Sequence, residues 1–187
     1  MAKKLNCKEG VLDAAEAVVI EMGAVHMSLD VVAKKAGVSK GGLMYHFPTK
    51  KSLLKAMIER LVKQFYDDRR AVLGKIKPGA GRMLKAGILT VLRPDQKRDR
   101  MGLSILVVAA HDPELLKCLK EAHRHHLKEI TDSGMDIERA VVISLASDGL
   151  MLLEMLGLSP HSPAQKKKIM DVMIRMIEEL ESGKGRV

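Results

Sequence analysis

The chain contains no tryptophan, and its only aromatic residues, Tyr45, Phe47, Phe65 and Tyr66, all precede residue 67. Everything beyond must be packed with aliphatic and thioether side chains, and a small molecule held there is held without aromatic stacking. Cysteine is scarce as well. Cys7 and Cys118 stand alone, with no C-x-x-C, which excludes a disulfide framework and points to a reducing, intracellular setting. Long apolar runs are missing: Met101–Ala110 is half the roughly 20 residues a bilayer span needs, and Asp148 and Glu154 interrupt Ala140–Leu158. The opening MAKKLNCKEG has basic residues but no apolar stretch behind them, so it reads as a mobile arm and not a secretory signal. A soluble, cytoplasmic protein without membrane contact is expected. Catalytic motifs are absent too. Gly74 and Gly79 have phosphate-loop spacing, but Ala80 occupies the lysine position, and there is no G-x-S-x-G. No enzyme and no cofactor are expected.

What is present is helical. The 187 residues are 47% apolar, enough for one or two small domains with a real core. Apolar residues recur at helical spacing over Lys8–Glu21 (Val11, Ala14, Val18 and Met22 inward, Gly23 as the stop), Leu29–Ala36 and Lys40–His46. Pro48 forces a break, and Thr49 caps a long helix to Leu73. Gly74–Gly81 reads as a turn. Further helices are predicted over Arg82–Leu92, Gln96–Ala110, Pro113–Thr131, Ile137–Leu156 and Ala164–Glu181, and the terminal SGKGRV is expected to fray. No strand pattern is seen. The fold class is all-α, with about nine helices.

Charge is uneven. The chain is formally +9, and residues 28–55 alone carry Lys34, Lys35, Lys40, Lys50, Lys51 and Lys55 against Asp30. Such a cluster suits phosphate neutralisation, although a solvated lysine-rich face has the same signature. Its context favours the first. Leu29, Val32, Ala33 and Ala36 share one helix face, Gly37 supplies the positive φ of a tight turn, and Ser39 caps a second short helix. Two short helices joined in this way form a helix-turn-helix, whose second helix enters the DNA major groove.

Ser39-Lys40-Gly41-Gly42-Leu43-Met44-Tyr45-His46-Phe47-Pro48-Thr49-Lys50 resembles the recognition-helix signature of the TetR family of bacterial transcriptional regulators. Leu29–Val38 is similar to that family's first helix-turn-helix element. The resemblance covers residues 8–58, with a local echo at Asp148-Gly149-Leu150. It implies a helix-turn-helix DNA-binding domain over residues 1–55 and a helical effector-binding and dimerisation domain over 56–187. It further implies a homodimer on a palindromic operator, paired through the helices near 137–156 and 164–181, with Ser144 and Gly149 permitting close approach. Repression, relieved by a small molecule, is the implied mode. By position, Ser28 and Ser39 cap toward phosphates, Lys40 reads a base edge, and Gly41 and Gly42 allow close approach. Tyr45, His46 and Lys50 reach the DNA backbone, while Phe47 belongs to the core and His26 to the surface. Lys51 stands where relatives often have an acid, and opposes the helix dipole by roughly 0.3–1 kcal/mol.

The last two helices are apolar on more than one side. Ile137, Val141, Leu145, Leu152 and Met155 line one face of the first, and Val142, Ile143, Leu150, Met151 and Leu153 the other. Such helices are either enclosed or shared with a partner. Eight of the 13 methionines lie beyond residue 67, which suits an adaptable, aliphatic effector, with Met101 and His111 as candidate pocket residues. Core filling explains any single methionine equally well. His123 and His126 have a spacing that can share a metal, but Lys120, Arg124 and Lys128 surround them, so exposed histidines and no metal are expected. The rival to a regulator is a helical, non-enzymatic protein that binds DNA by charge alone, without a ligand.

Overall fold

The computed structural model describes residues 7–93 and 95–183. Nine helices run through them: α1 (Cys7–His26), α2 (Leu29–Ala36), α3 (Lys40–His46), α4 (Lys50–Leu73), α5 (Arg82–Val91), α6 (Gln96–Ala109), α7 (Pro113–Thr131), α8 (Ile137–Met155) and α9 (Pro163–Glu181). No strand occurs among the described residues. Polar caps fix the boundaries. Asp95, Asp136 and Ser162 accept the backbone N–H three residues on, and Ser162 with Gln165 closes a reciprocal capping box.

The N-terminus corrects two expectations. Residues 7–10, assigned to a mobile arm, are already helical; the rest of that arm lies outside the described residues, as do 184–187 of the tail. Met22, expected inside, is 41% exposed. Leu12, Ala15 and Val19 join Val11, Ala14 and Val18 in the core, so the buried stripe is broader than one heptad face; it skips Met22 and resumes at Ala24. Gly23 then kinks the helix at φ 85°, and the freed N–H of Ala24 donates to Ser104 Oγ on α6 at 2.7 Å.

The chain divides into two compact units whose composition differs from the segments 1–55 and 56–187. The first joins the residues up to Val62 with Asp95–Lys120; the second joins Lys63–Pro94 with Glu121 onward. In the first unit α1 packs on α2 and α6, and Leu43, Phe47, Leu53 and Met57 complete the core beneath α3 and α4.

In the second unit α5 is enclosed by α8 and α9, with Leu84, Ile88, Ile143, Met173 and Ile177 at the centre. Gly81 opens α5 because a Cβ there would fall 2.2 Å from Ile177 Cγ2. Its N–H donates to Glu181 Oε1 at 2.8 Å, and Lys85 Nζ meets Glu181 Oε2 at 2.6 Å. The end of α9 thus caps the start of α5 with a carboxylate, the sign the helix dipole favours. The inward side of α8 is Ala140, Ile143, Ser144, Ser147 and Leu150, whereas Val142, Leu145, Leu152 and Leu153 are exposed. Leu145 and Leu152 therefore do not share a buried face with Val141. Ser144, expected where two helices approach, points inward, while Gly149 has open space above it.

Candidate nucleic-acid interface

Ser28 starts α2 by accepting from Val31 N at 3.3 Å, and Gly37 ends it in the left-handed region at φ 68°. Ser39 starts α3 by accepting from Gly42 N at 3.1 Å. Leu43 and Phe47 anchor α3 from below, with Phe47 3% exposed. The opposite face is open: Lys40, Gly41, Met44 and Tyr45 are exposed, and Tyr45 is 85% so. A tyrosine kept out of the core by its own helix, beside a buried phenylalanine, is free for an external partner. His46 is half-buried and meets the Tyr45 ring edge-on at 5.1 Å. Met44, 40% exposed, was missed in the sequence reading; its place four residues after Lys40 was the available signal. A Cβ on Gly41 meets nothing, whereas one on Gly42 would come 3.2 Å from the capping Ser39 Oγ. His26 is exposed, as expected.

The lysine cluster is far more compensated than its sequence suggests. Lys40 Nζ bridges to Asp30 at 3.0 Å, Lys35 to Glu21 at 2.5 Å, and Lys55 to Glu59 at 4.0 Å. Lys50 is half-buried and donates to the carbonyl of Val25 at the end of α1, at 2.7 Å; burial lowers its pKa. Lys51 meets Asp112 at 3.0 Å and Glu114 at 2.5 Å, which offsets its expected cost at the start of α4. The hydrogen bonds that Lys51 donates to Glu114 and Asp112 raise its pKa. Of the six lysines, Lys34 alone makes no ion pair or hydrogen bond among the described residues.

The candidate pocket residues are not brought together. Met101 fills the core of the first unit against α1, and His111 is exposed at the α6–α7 turn. An open cleft of about 400 Å³ lies instead in the second unit, lined by Glu138, Arg139, Val142, Ile143, Met176, Glu179 and Leu180. No group of three or more His, Cys, Asp or Glu among the described residues is arranged to hold a metal.

His123 and His125 are exposed, but His126 corrects the expectation for the histidines. It is half-buried, with Nδ1 3.4 Å from Arg69 Nη1 and Nε2 3.2 Å from Ser144 Oγ. Arginine only donates, so Nδ1 accepts and Nε2–H donates to the serine. Gly87 makes room, since a Cβ there would lie 3.3 Å from His126 Cε1. Arg69, 3% exposed, is itself held in a two-pronged pair with Glu129 at 2.7 and 2.8 Å, and its guanidinium lies over Tyr66. Burial, and next the Arg69 charge, hold the His126 imidazole below its usual pKa. Burial pushes the Asp148 carboxyl above its usual range, against the pull of His126 and His123.

Residues 11–57 match the family described as "Bacterial regulatory proteins, tetR family", and residues 81–178 match "Tetracyclin repressor-like, C-terminal domain". The chain is similar to the HTH-type transcriptional regulator CymR of Pseudomonas putida, 31% identical over 165 residues that cover 84% of this chain and 80% of the relative. Its fold is shared with a TetR-family regulator from Rhodococcus sp. at a TM-score of 0.74 and 18% identity, over 95% of this chain and all of that one. It is shared too with the multidrug binding protein EbrR, solved with imidazole, at 0.69 and 21%, over 90% and 88% of the two chains. The chain belongs to the TetR family of bacterial DNA-binding transcriptional regulators, which are not enzymes.

Proposed function

We propose that the protein is a repressor that sits as a homodimer on a palindromic operator in the bacterial cytoplasm and leaves it when a small molecule binds the second unit. The observation that carries this reading is the outward face of α3, where Lys40, Gly41, Met44 and Tyr45 stand open while Leu43 and Phe47 are buried. Lys40 exchanges Asp30 for a guanine edge, and Tyr45 and His46 meet the DNA backbone. The backbone N–H groups at the α2 and α3 starts, with the hydroxyls of Ser28 and Ser39, take phosphates. Gly41 and Gly42 bring the helix close to the groove, and Lys50 adds positive charge beside it. Internal pairing of most of the lysines argues against a protein that binds by charge alone.

Dimerisation is supported by the exposed apolar face of α8 and α9: Val142, Leu145, Leu153, Val172 and Met176, with Gly149 open between them. A second copy on that face covers the cleft, and reading a palindrome requires two recognition helices about 34–36 Å apart, one turn of DNA, or a multiple of it. Small-molecule binding is supported by the similar fold of EbrR, solved with imidazole. The absence of any aromatic beyond residue 66 favours an aliphatic ligand among the later helices.

The test is fluorescence anisotropy with a palindrome from the chain's own promoter against random duplex at physiological salt. A ratio of about 10³ or more is expected. Lys40→Ala and Tyr45→Ala should each weaken the palindrome while the sedimentation coefficient stays that of a dimer. Equal affinity for both duplexes rejects the reading.

A further inference from the structure

The open face of α3 carries few groups that can distinguish one base from another. Lys40 and Gly41 in one turn share it with Met44 and Tyr45 in the next. Gly41 has no side chain, and Lys40 is a cation already bridged to Asp30. Met44 differs from its neighbours. Its side chain is apolar and 40% exposed, although the core beneath α3 is filled by Leu43 and Phe47, which are 0% and 3% exposed. A thioether donates no hydrogen bond and accepts only weakly, so it gains little from a phosphate or from a polar base edge. Left in water, it is an apolar group with no partner. Long side chains on a helix lean toward its N-terminus, over the preceding turn. For Met44 that is the turn of Lys40 and Gly41, where a Cβ on Gly41 would meet nothing. The missing side chain at Gly41 leaves Met44 room to lie along the surface that approaches the groove.

We propose that Met44 is a specificity-determining residue that reads a thymine through its C5-methyl group. Among the four bases thymine alone presents a methyl group in the major groove, and an apolar side chain is its complement. Cytosine in the same place offers an amino donor that a thioether satisfies poorly. Four residues of helix rise about 6 Å, and base pairs are stacked about 3.4 Å apart. Met44 therefore stands about two base-pair steps from the guanine that Lys40 takes. One residue of this face reads by hydrogen bonds, and the other by apolar contact. The inference rests on the reading that the open face of α3 enters the major groove of a palindrome, and it names the base that one residue of that face selects.

The experiment is fluorescence anisotropy of the full chain on the promoter palindrome, with each thymine replaced in turn, in both half-sites, by deoxyuridine. That exchange removes the methyl group and keeps the base pair. At one position it should cost the wild type about fourfold per half-site, the worth of one buried methyl group, and so about fifteenfold over the palindrome. Met44→Ala should bind thymine and deoxyuridine at that position alike, whereas Met44→Leu, with methyl groups at similar reach, keeps the difference. Met44 is exposed, so neither variant should unfold, and a cooperative melt for each establishes it. Three results overturn the proposal: no deoxyuridine lowers affinity, the loss persists undiminished in Met44→Ala, or Met44→Ala weakens palindrome and random duplex by the same factor, which places the side chain on the DNA backbone. The broader reading is tested apart from it, by the preference of the wild type for the unmodified palindrome over random duplex. That preference survives if deoxyuridine has no effect; if the preference itself is absent, both fall.

Discussion

Gly81 and Asp148 hold opposite lessons at the scale of the residue. At Gly81 the backbone passes so close to α9 that a methyl group would overlap Ile177, which is fully buried and β-branched and so has little freedom to move. Gly81→Ala should therefore destabilise the protein by about 1–3 kcal/mol, the usual cost of overpacking, as read by urea denaturation. A neutral result would mean that α5 and α9 are free to separate there. At Asp148 the strain is electrostatic. Burial raises its carboxyl pKa in the folded state, so between the unfolded value and the folded one the native protein holds the proton more tightly. Stability in that window falls as pH rises, and above it the full penalty of a desolvated carboxylate persists. Asp148→Asn should raise the melting temperature at pH 7 and leave it little changed at pH 3, in the absence of ligand. His126 works in the other direction. Its depressed pKa costs stability as pH drops below the ordinary histidine range, and both proteins share that loss.

Among the elements, α3 makes the sharpest distinction between folding and function. Gly41 lies in its first turn with open space around it, so alanine there costs nothing sterically and favours the helix by up to about 1 kcal/mol. Gly41→Ala is expected to raise stability yet lower palindrome affinity, because the added methyl group stands between the helix backbone and the groove. If anisotropy shows affinity unchanged, close approach at Gly41 plays no part. This helix was legible in the sequence because its signals are local: Gly37 turns the chain, Ser39 caps, and Pro48 stops it. The same holds for the bounds of the later helices, which Asp95, Asp136 and Ser162 set. What the sequence hid is what arrives from far along the chain. Asp112 and Glu114 reach Lys51 across some 60 positions, and Glu129 reaches Arg69 across the same distance. No local pattern carries that information, so the cluster of lysines looked bare. The faces of α8 were hidden for another reason. A helix apolar on every side offers no periodicity to show that Ser144 faces His126 while Leu145 faces outward.

For the molecule as a whole, that outward face ties recognition to assembly. Val142, Leu145, Leu152 and Leu153 on α8, with Leu156 just past its end, extend along about four turns, and Val172 and Met176 are exposed on α9. An apolar patch of this kind is costly to leave in water and gives a symmetric partner a place to bind. One recognition helix reads only half of a palindrome. Joining two turns the second contact into an intramolecular event, worth about 10²–10⁴ in affinity. Leu145→Glu combined with Leu153→Glu should therefore halve the mass found by equilibrium sedimentation. Operator affinity should fall by at least about a hundredfold, while binding to an isolated half-site changes little, because α3 and its core are untouched. The half-site measurement separates the two causes. If it falls in parallel with the palindrome, the substitutions have damaged the first unit; if the palindrome holds while the mass halves, one copy suffices, and two-fold reading is wrong.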